Sequence, residues 1–364
     1  MIRLVPMWCA LSVLAACGAM TGVDDAGNTG GGTAATGGGT ATGGGGGSDA
    51  GTGFDLCGYS HSGFNATASV NTTSTVAWTC TATTRSVASN GLPDHTVGVF
   101  PNANCPNTIA AYTVAASMPL APVNTGTASS IAIVGYAYNG VKFDPGTAGS
   151  CSATSCSLAG NTGSWNIEAL GQSSFNFGVD SSNAHVQPTG EYHYHGMPEE
   201  ALTQLARGQA MTLVGYALDG FPVYARYGFT TPTDATSAVK VMTGSYRLKS
   251  TPDTGRPSTT TYPMGAFRQD YEYAAGSGDL DECNGRTGVT PEFPQGTYHY
   301  YITDTYPFIQ RCVKGTATGG GMMQTDGGMG MNPPMCAAGQ TMMCCGDGVC
   351  GGPETHTNCA ADCP

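Results

Sequence analysis

Three blocks occur twice in this chain, in the same order, and that order limits the folds open to it. VGYAYNG (134–140) is answered by VGYALDG (214–220), and Asp180-x-x-Asn183-Ala-His185 by Asp281-x-x-Asn284-Gly-Arg286. PTGEYHYH (188–195) is answered by PQGTYHYY (294–301). Residues near 131–195 and 211–301 therefore read as two diverged copies of one unit, too few and too unequal for a solenoid. Two such copies are expected to pack about a pseudo-twofold axis.

Each copy reads as β-structure. On an extended strand, residues two apart share a face, so His193 and His195 project together while Tyr192 and Tyr194 point the other way. His-x-His on a strand is a two-ligand claw. Runs at 74–83, 131–138 and 211–218 are rich in Val, Ile, Thr and Tyr and are separated by Gly, Asn and Pro, which predicts strands. Helical spacing is scarce. It predicts a helix over 198–207, with Pro198 in the first turn, Glu199 and Glu200 near the positive end, and a stripe of Leu202, Leu205 and Ala206. A shorter helical piece is predicted around 165–170. The fold class expected is mainly β, a sandwich-like or barrel-like domain built from two diverged repeat units with few short helices, plus a small disulfide-rich C-terminal module.

The ends of the chain read differently from its middle. Arg3 and an apolar run over 4–16 end in Leu14-Ala15-Ala16-Cys17, a run too short to span a bilayer. It resembles a bacterial lipoprotein signal, with cleavage after residue 16 and lipid on Cys17. Gly18 resembles the residue that follows the lipidated Cys in outer-membrane lipoproteins. Residues 17–53 are then a lipidated Cys and a Gly/Thr-rich tether that lacks the apolar residues for a core. The folded domain is expected over 54–315, a Gly/Met-rich linker over 316–335 and a Cys-rich module over 336–364. The protein is thus expected to be exported, lipid-anchored at the outer membrane or cell surface, with the membrane as its partner through the anchor. Any protein or carbohydrate partner is left open. With 13 Lys and Arg against a net charge of -12, the chain lacks the basic footprint of a nucleic-acid binder.

Cysteine usage agrees with export. Setting aside Cys9 and Cys17, seven cysteines lie between Cys57 and Cys312 and six between Cys336 and Cys363. Proximity suggests Cys151 with Cys156 and Cys283 with Cys312. One of Cys57, Cys80 and Cys105 is then free or pairs outside the domain. The terminal cluster suits three disulfides in a small module, where Asp347, Glu354 and Asp362 are either calcium ligands or solvated acids.

SNGLPDH (89–95), NGVKFDP (139–145), AHVQPTGEYHYH (184–195), GYALDGFPVYA (215–225), GDLDECNGR (278–286) and GTYHYYITDTYPF (296–308) together resemble the YHYH domain family, named for the tetrapeptide at 192–195. The resemblance covers roughly 54–315. It implies an exported domain and carries no activity with it.

The chemistry must therefore be read from the residues. His185, His193 and His195, with His299 lent by the second copy and Asp180, Asp219 or Asp281 nearby, form a candidate site for copper or zinc. Tyr192, Tyr194, Tyr298 and Tyr300 are the candidates for hydrogen bonds that orient the rings. A single ion requires the ring nitrogens to lie within about 8 Å of one another, since metal–imidazole bonds are about 2 Å. Seven methionines between Met322 and Met343 tilt the choice slightly toward copper, because thioethers suit Cu(I). Asp281, Glu282 and Asn284 are candidate calcium ligands or turn-pinning polar residues. The competing reading of the histidines is a buried polar ladder with each ring satisfied by backbone or carboxylate. Two further readings stay open: a carbohydrate-binding or adhesion surface with Tyr192, Tyr298, Tyr300 and Trp165 as stacking platforms, and a metal-dependent hydrolase. No nucleophile elbow, His-Glu-x-x-His pair or phosphate loop occurs, so enzyme activity is not expected from motifs.

Overall fold

The computed structural model describes residues 55–318. The expected signal (1–16), Cys17, the tether, residues 319–335 of the linker and the Cys-rich module lie outside the described residues.

A four-stranded antiparallel sheet comes first, from β1 (Ser60–Asn65), β2 (Thr72–Cys80), β3 (Thr84–Ser89) and β4 (Val114–Pro119) in that order. Alternation builds its inner face, with Ser74, Val76 and Trp78 of β2 and Arg85 and Val87 of β3 buried. The chain continues through β5 (Ser129–Ser130), β6 (Gly135–Ala137) and β7 (Lys142–Phe143), then β8 (Ser150–Cys151), β9 (Cys156–Ser157) and β10 (Trp165–Asn166), which make a small three-stranded sheet. Next come β11 (Ala184–Val186), β12 (Tyr192–Tyr194), the helix α1 (Glu199–Leu205), β13 (Thr212–Ala217) and β14 (Pro222–Ala225). Two short pairs follow from β15 (Tyr227–Phe229), β16 (Val239–Val241), β17 (Tyr246–Leu248) and β18 (Tyr271–Tyr273). Last are β19 (Gly285–Gly288), β20 (Thr297–Ile302) and β21 (Cys312–Val313), the last pairing with β5.

The central sheet has eight strands in the order β11-β12-β7-β6-β13-β14-β20-β19. Every position of β13 and β14 is buried, because both faces of the sheet are covered. Val214, Val223, Ala225, Tyr194 and Tyr300 feed one core cluster, while Leu213, Tyr216, Tyr224 and Tyr301 feed a second that includes Val76, Trp78 and Val87 of the first sheet. The Trp78 indole donates to the Tyr138 carbonyl at 2.8 Å, and the Arg85 guanidinium lies 3.5 Å over the Tyr216 ring. The architecture is mainly β with one short helix, as expected.

Strand pairing on one side of β6 and β13 corresponds to pairing on the other. The two inner strands meet antiparallel with Tyr136 opposite Tyr216, Gly135 opposite Ala217 and Ala137 opposite Gly215. A Cβ on Gly135 would lie 2.3 Å from the Tyr216 carbonyl oxygen, and one on Gly215 would lie 2.1 Å from that of Tyr136, so only glycine allows this approach. On each side a hairpin follows (β6 with β7, β13 with β14), then a parallel pair (β7 with β12, β14 with β20), then an antiparallel edge strand (β11, β19).

Local predictions fared unevenly. The helix forms over Glu199–Leu205 and ends at Ala206 in the left-handed region. The helix predicted near 165–170 does not form. Trp165 pairs with Cys151 and Ile167 bridges to Phe267, because Trp165, Ile167 and Phe267 make a third core cluster that demands extended backbone. Among the described residues, disulfides join Cys57–Cys80, Cys151–Cys156 and Cys283–Cys312, and Cys105 is a buried free thiol.

Candidate metal centre

The hairpin of β11 and β12 assembles three histidines by register alone. Its turn is Gln187-Pro188-Thr189-Gly190, closed by the Gly190 amide donating to the Gln187 carbonyl at 2.8 Å. Gly190 holds φ 88°, which favours glycine. That turn sets His185 directly opposite His193. Directly opposed residues share a face with Cβ atoms about 5 Å apart, and His195 lies two residues on from His193. The ring centroids form a nearly equilateral triangle of 4.7, 4.8 and 4.7 Å, with interplanar angles of 65°, 72° and 69°.

One nitrogen from each ring faces the others, all three lying within 4.8 Å of one another. The Nε2 atoms of His193 and His195 are 3.0 Å apart. His185 Nδ1 donates to the Phe177 carbonyl at 2.8 Å and His193 Nδ1 to that of Glu191 at 3.3 Å, leaving Nε2 of each ring to face inward. His195 Nδ1 is buried without a hydrogen-bond partner of good geometry, although the Pro145 carbonyl still favours a proton on this ring. At the tetrahedral angle, bonds of about 2.0–2.1 Å separate ligand nitrogens by about 3.4 Å. The group is thus within a few tenths of an ångström of that spacing at its tightest edge.

Electrostatics keep these rings neutral. Burial, above all, pushes His185 down and His193 and His195 well down from the usual imidazole value, and the neighbouring rings, Lys142 and Arg311 add to this at one or more of them. A neutral imidazole is the form that binds a metal. Two inward lone pairs 3.0 Å apart repel unless a proton or a cation lies between them. The polar-ladder reading is met in part: the Phe177 and Glu191 carbonyls take the outer nitrogens of His185 and His193, and the inner nitrogens of His193 and His195 are close enough at 3.0 Å for one N–H···N hydrogen bond.

Beside the group lies a cavity of about 510 Å³, lined by His185 and His193 together with Asp144, Glu168, Arg268 and Arg311. None of these four charged residues stood among the sequence candidates. Asp144 was within reach of reading, since it sits in the NGVKFDP block, and it pairs with the buried Lys142 at 3.3 Å. Glu168 and Arg311 carried no local signal: they pair at 2.6 Å across 143 residues of sequence.

The other candidates lie elsewhere. His299 sits on β20, five strand positions from β12, or about 24 Å at the usual interstrand spacing. Its Nδ1 donates to the Thr297 carbonyl and its Nε2 lies 3.0 Å from the Tyr301 hydroxyl. Asp180 accepts the Tyr192 hydroxyl at 2.8 Å, Asp281 that of Tyr298 at 2.8 Å and Asp219 that of Tyr300 at 2.6 Å. The Tyr194 hydroxyl lies between His95 Nε2 and the Asn139 amide. The four tyrosines thus brace carboxylates, His95 and Asn139, and it is backbone carbonyls that orient His185 and His193. At the candidate calcium ligands, the Asp281 carboxylate also caps the Cys283 and Gly285 amides, Glu282 pairs with Lys314, and the Asn284 amide donates to Tyr301 and Thr303. Among the described residues, the three histidines are the group whose His, Cys, Asp or Glu ligand atoms converge.

No curated protein and no solved structure matches the chain. The model of the YHYH protein family matches residues 115–315, a stretch that holds the whole eight-stranded sheet and the three-histidine group and leaves β1, β2 and β3 outside it. With more than half of its length matched, and with Tyr192 to Tyr194 of the tetrapeptide forming β12, this chain belongs to the YHYH protein family.

Proposed function

We propose that the protein binds one transition-metal ion, zinc or copper, through Nε2 of His185, His193 and His195. The observation that carries this reading is the convergence of three neutral imidazoles from one hairpin, two of them with Nδ1 held by a backbone carbonyl. Such a carbonyl fixes the tautomer that presents Nε2 to a metal. Three ligands beside a cavity leave a fourth position open, as in sites that accept an exogenous ligand. Export is consistent with three disulfides. We further infer, from sequence alone, an anchor at Cys17 in the outer membrane or cell surface, and descent of the two halves of the central sheet from one duplicated unit.

The stacking-surface reading has little support, because Tyr192, Tyr298, Tyr300 and Trp165 are 0, 5, 0 and 9% exposed. A metal-dependent hydrolase stays a second reading, favoured by the cavity. It is checked by hydrolysis of an activated ester by the zinc-loaded chain, which His185→Gln should abolish.

The decisive test is elemental analysis of the full chain, prepared without a histidine tag and reconstituted with zinc or copper. Wild type should hold one more equivalent than the His193→Ala/His195→Ala variant, and the half-buried His185→Gln should lose most of the same equivalent while keeping the fold. Equal metal in all three chains would end the proposal.

A further inference from the structure

The hairpin of β11 and β12 carries a second cluster at its turn end. Positions two apart on a strand share a face, so Gln187 continues the face of His185 and Glu191 that of His193. Lys142 on the neighbouring β7 stands opposite His193, and Asp144 lies two residues on. Lys142 thus reaches past β12 to a side chain 45 residues further along the chain. Its ammonium donates to Gln187 Oε1 at 2.8 Å and meets Glu191 Oε2 at 2.8 Å and Asp144 Oδ2 at 3.3 Å. The Gln187 amide nitrogen donates to that same Asp144 oxygen at 3.3 Å.

Two features go beyond an ordinary ion pair. One ammonium needs one carboxylate, yet two are committed to it here, and the side chains of Lys142 and Glu191 are only 4% and 8% exposed. The carboxamide is also held at both ends, its oxygen by the amine and its nitrogen by an acid that touches the same amine. A carbonyl carbon lies about 1.2 Å from its oxygen, which places Lys142 Nζ at most about 4 Å from Gln187 Cδ, close to the separation from which positioned groups react. A desolvated lysine is a nucleophile toward carbonyl carbon once a neighbouring base takes its proton.

We infer that Lys142 and Gln187 join in an isopeptide bond made by the folded chain itself. Glu191 takes one proton from Nζ, and the freed lone pair attacks Gln187 Cδ to form the new C–N bond. Asp144 passes a second Nζ proton to Nε2, the Cδ–Nε2 bond breaks, and ammonia leaves while Glu191 keeps the first proton. The third proton stays on the new amide. Nothing is oxidised or reduced, and no co-reactant is consumed. Gln187 and Asp144 both line the cavity, which gives ammonia its way out. The product ties β7 to the turn of the histidine hairpin across the strand between them, whether or not a metal is bound.

Tryptic mapping of the reduced full chain reads the bond directly. Between Arg85 and Arg207 the only cleavable residue is Lys142, and trypsin does not cut after a lysine whose Nζ is acylated. Wild type should yield one peptide over 86–207, lighter than its sequence by one ammonia, with fragment ions that join Lys142 to Gln187. Glu191→Ala should lower the linked fraction by about tenfold or more, and Gln187→Ala should release 86–142 and 143–207 as separate peptides. Wild type cut after Lys142, with both peptides at full mass, overturns the inference without need of any variant. A linked fraction unchanged in Glu191→Ala overturns the proton route.

Discussion

The hairpin of β11 and β12 and the hairpin of β19 and β20 share a backbone and differ in what they place on it. His185 opposes His193 as Arg286 opposes His299. Asn183 and Asn284 both take left-handed φ, 53° and 57°, and each lies between an aspartate and the edge strand. Asp180 caps the Ser182 and Ala184 amides and accepts from Tyr192; Asp281 caps those of Cys283 and Gly285 and accepts from Tyr298. Even the turns correspond, with Gly190 at φ 88° and Gly296 at φ 89°. The scaffold is therefore common to both, and the chemistry lies in four substitutable side chains.

Those four are Asp144, His185, His193 and His195 on one side and Tyr224, Arg286, His299 and Tyr301 on the other. On the second side His299 Nε2 meets the Tyr301 hydroxyl at 3.0 Å, the Arg286 guanidinium reaches that hydroxyl at 3.3 Å, and Tyr224 is held by Thr290 and Glu292. A covalently attached cation and a phenol there satisfy the ring. On the first side Lys142 and Arg311 are near, yet among the described residues no phenol or guanidinium is bonded to the inward nitrogens, and three rings converge. The comparison teaches that the paired scaffold can close on its own cation or stay open for a foreign one.

The largest effect that could break this comparison is on metal affinity. His193→Ala should weaken zinc binding by at least a hundredfold, whereas His299→Ala should change it less than twofold; calorimetry on both chains tests this, and equal losses would place the ion elsewhere. The reciprocal experiment transplants the site. Arg286→His combined with Tyr301→His should raise the zinc content by up to one equivalent, and a folded double variant with unchanged content would show that the scaffold alone does not suffice.

The shared braces should behave alike. Asp180→Ala strands a buried phenol and the Gly98, Ser182 and Ala184 amides, and Asp281→Ala a phenol and the Cys283 and Gly285 amides, each at a cost of about 2–4 kcal/mol, read as urea midpoints at constant slope. A difference between them above about 2 kcal/mol would mean that the matched hydrogen bonds are not matched in energy. The smallest effect concerns acid. Burial, chiefly, pushes His299 down to about 4, while an unfolded histidine takes its proton near pH 6.5. The unfolded chain thus binds the extra proton first, so stability that is complete above about pH 6.5 falls as the pH drops toward 4, by roughly 3 kcal/mol. His299→Gln should flatten that part of the pH profile of the urea midpoint.

Much of this was legible in the chain. The period of two placed His193 and His195 on one face, and the turn Pro188-x-Gly190 fixed the register that brings His185 opposite them. The recurrence of Asp-x-x-Asn marked turns that brace tyrosines. Less legible was the role of the tyrosines themselves: alternation put Tyr192 and Tyr194 on the face away from the rings, so their hydroxyls meet Asp180, His95 and Asn139 instead. The helix predicted near 165–170 failed for a similar reason, since propensity is weak against a core that needs Trp165 and Ile167 extended.

By itself, then, the sequence determined the hairpin of β11 and β12, its faces and the identity of the three converging rings, because all of these follow from contacts between residues at most ten apart. Only the tertiary structure decided that His299 stays five strands away, since the order in which strands join a sheet is not written in any one of them. It also decided that Glu168, Arg268 and Arg311 come to the same cavity as His185. Their meeting depends on long-range packing, where a contact's energy is local but the loop closure that permits it spans more than a hundred residues.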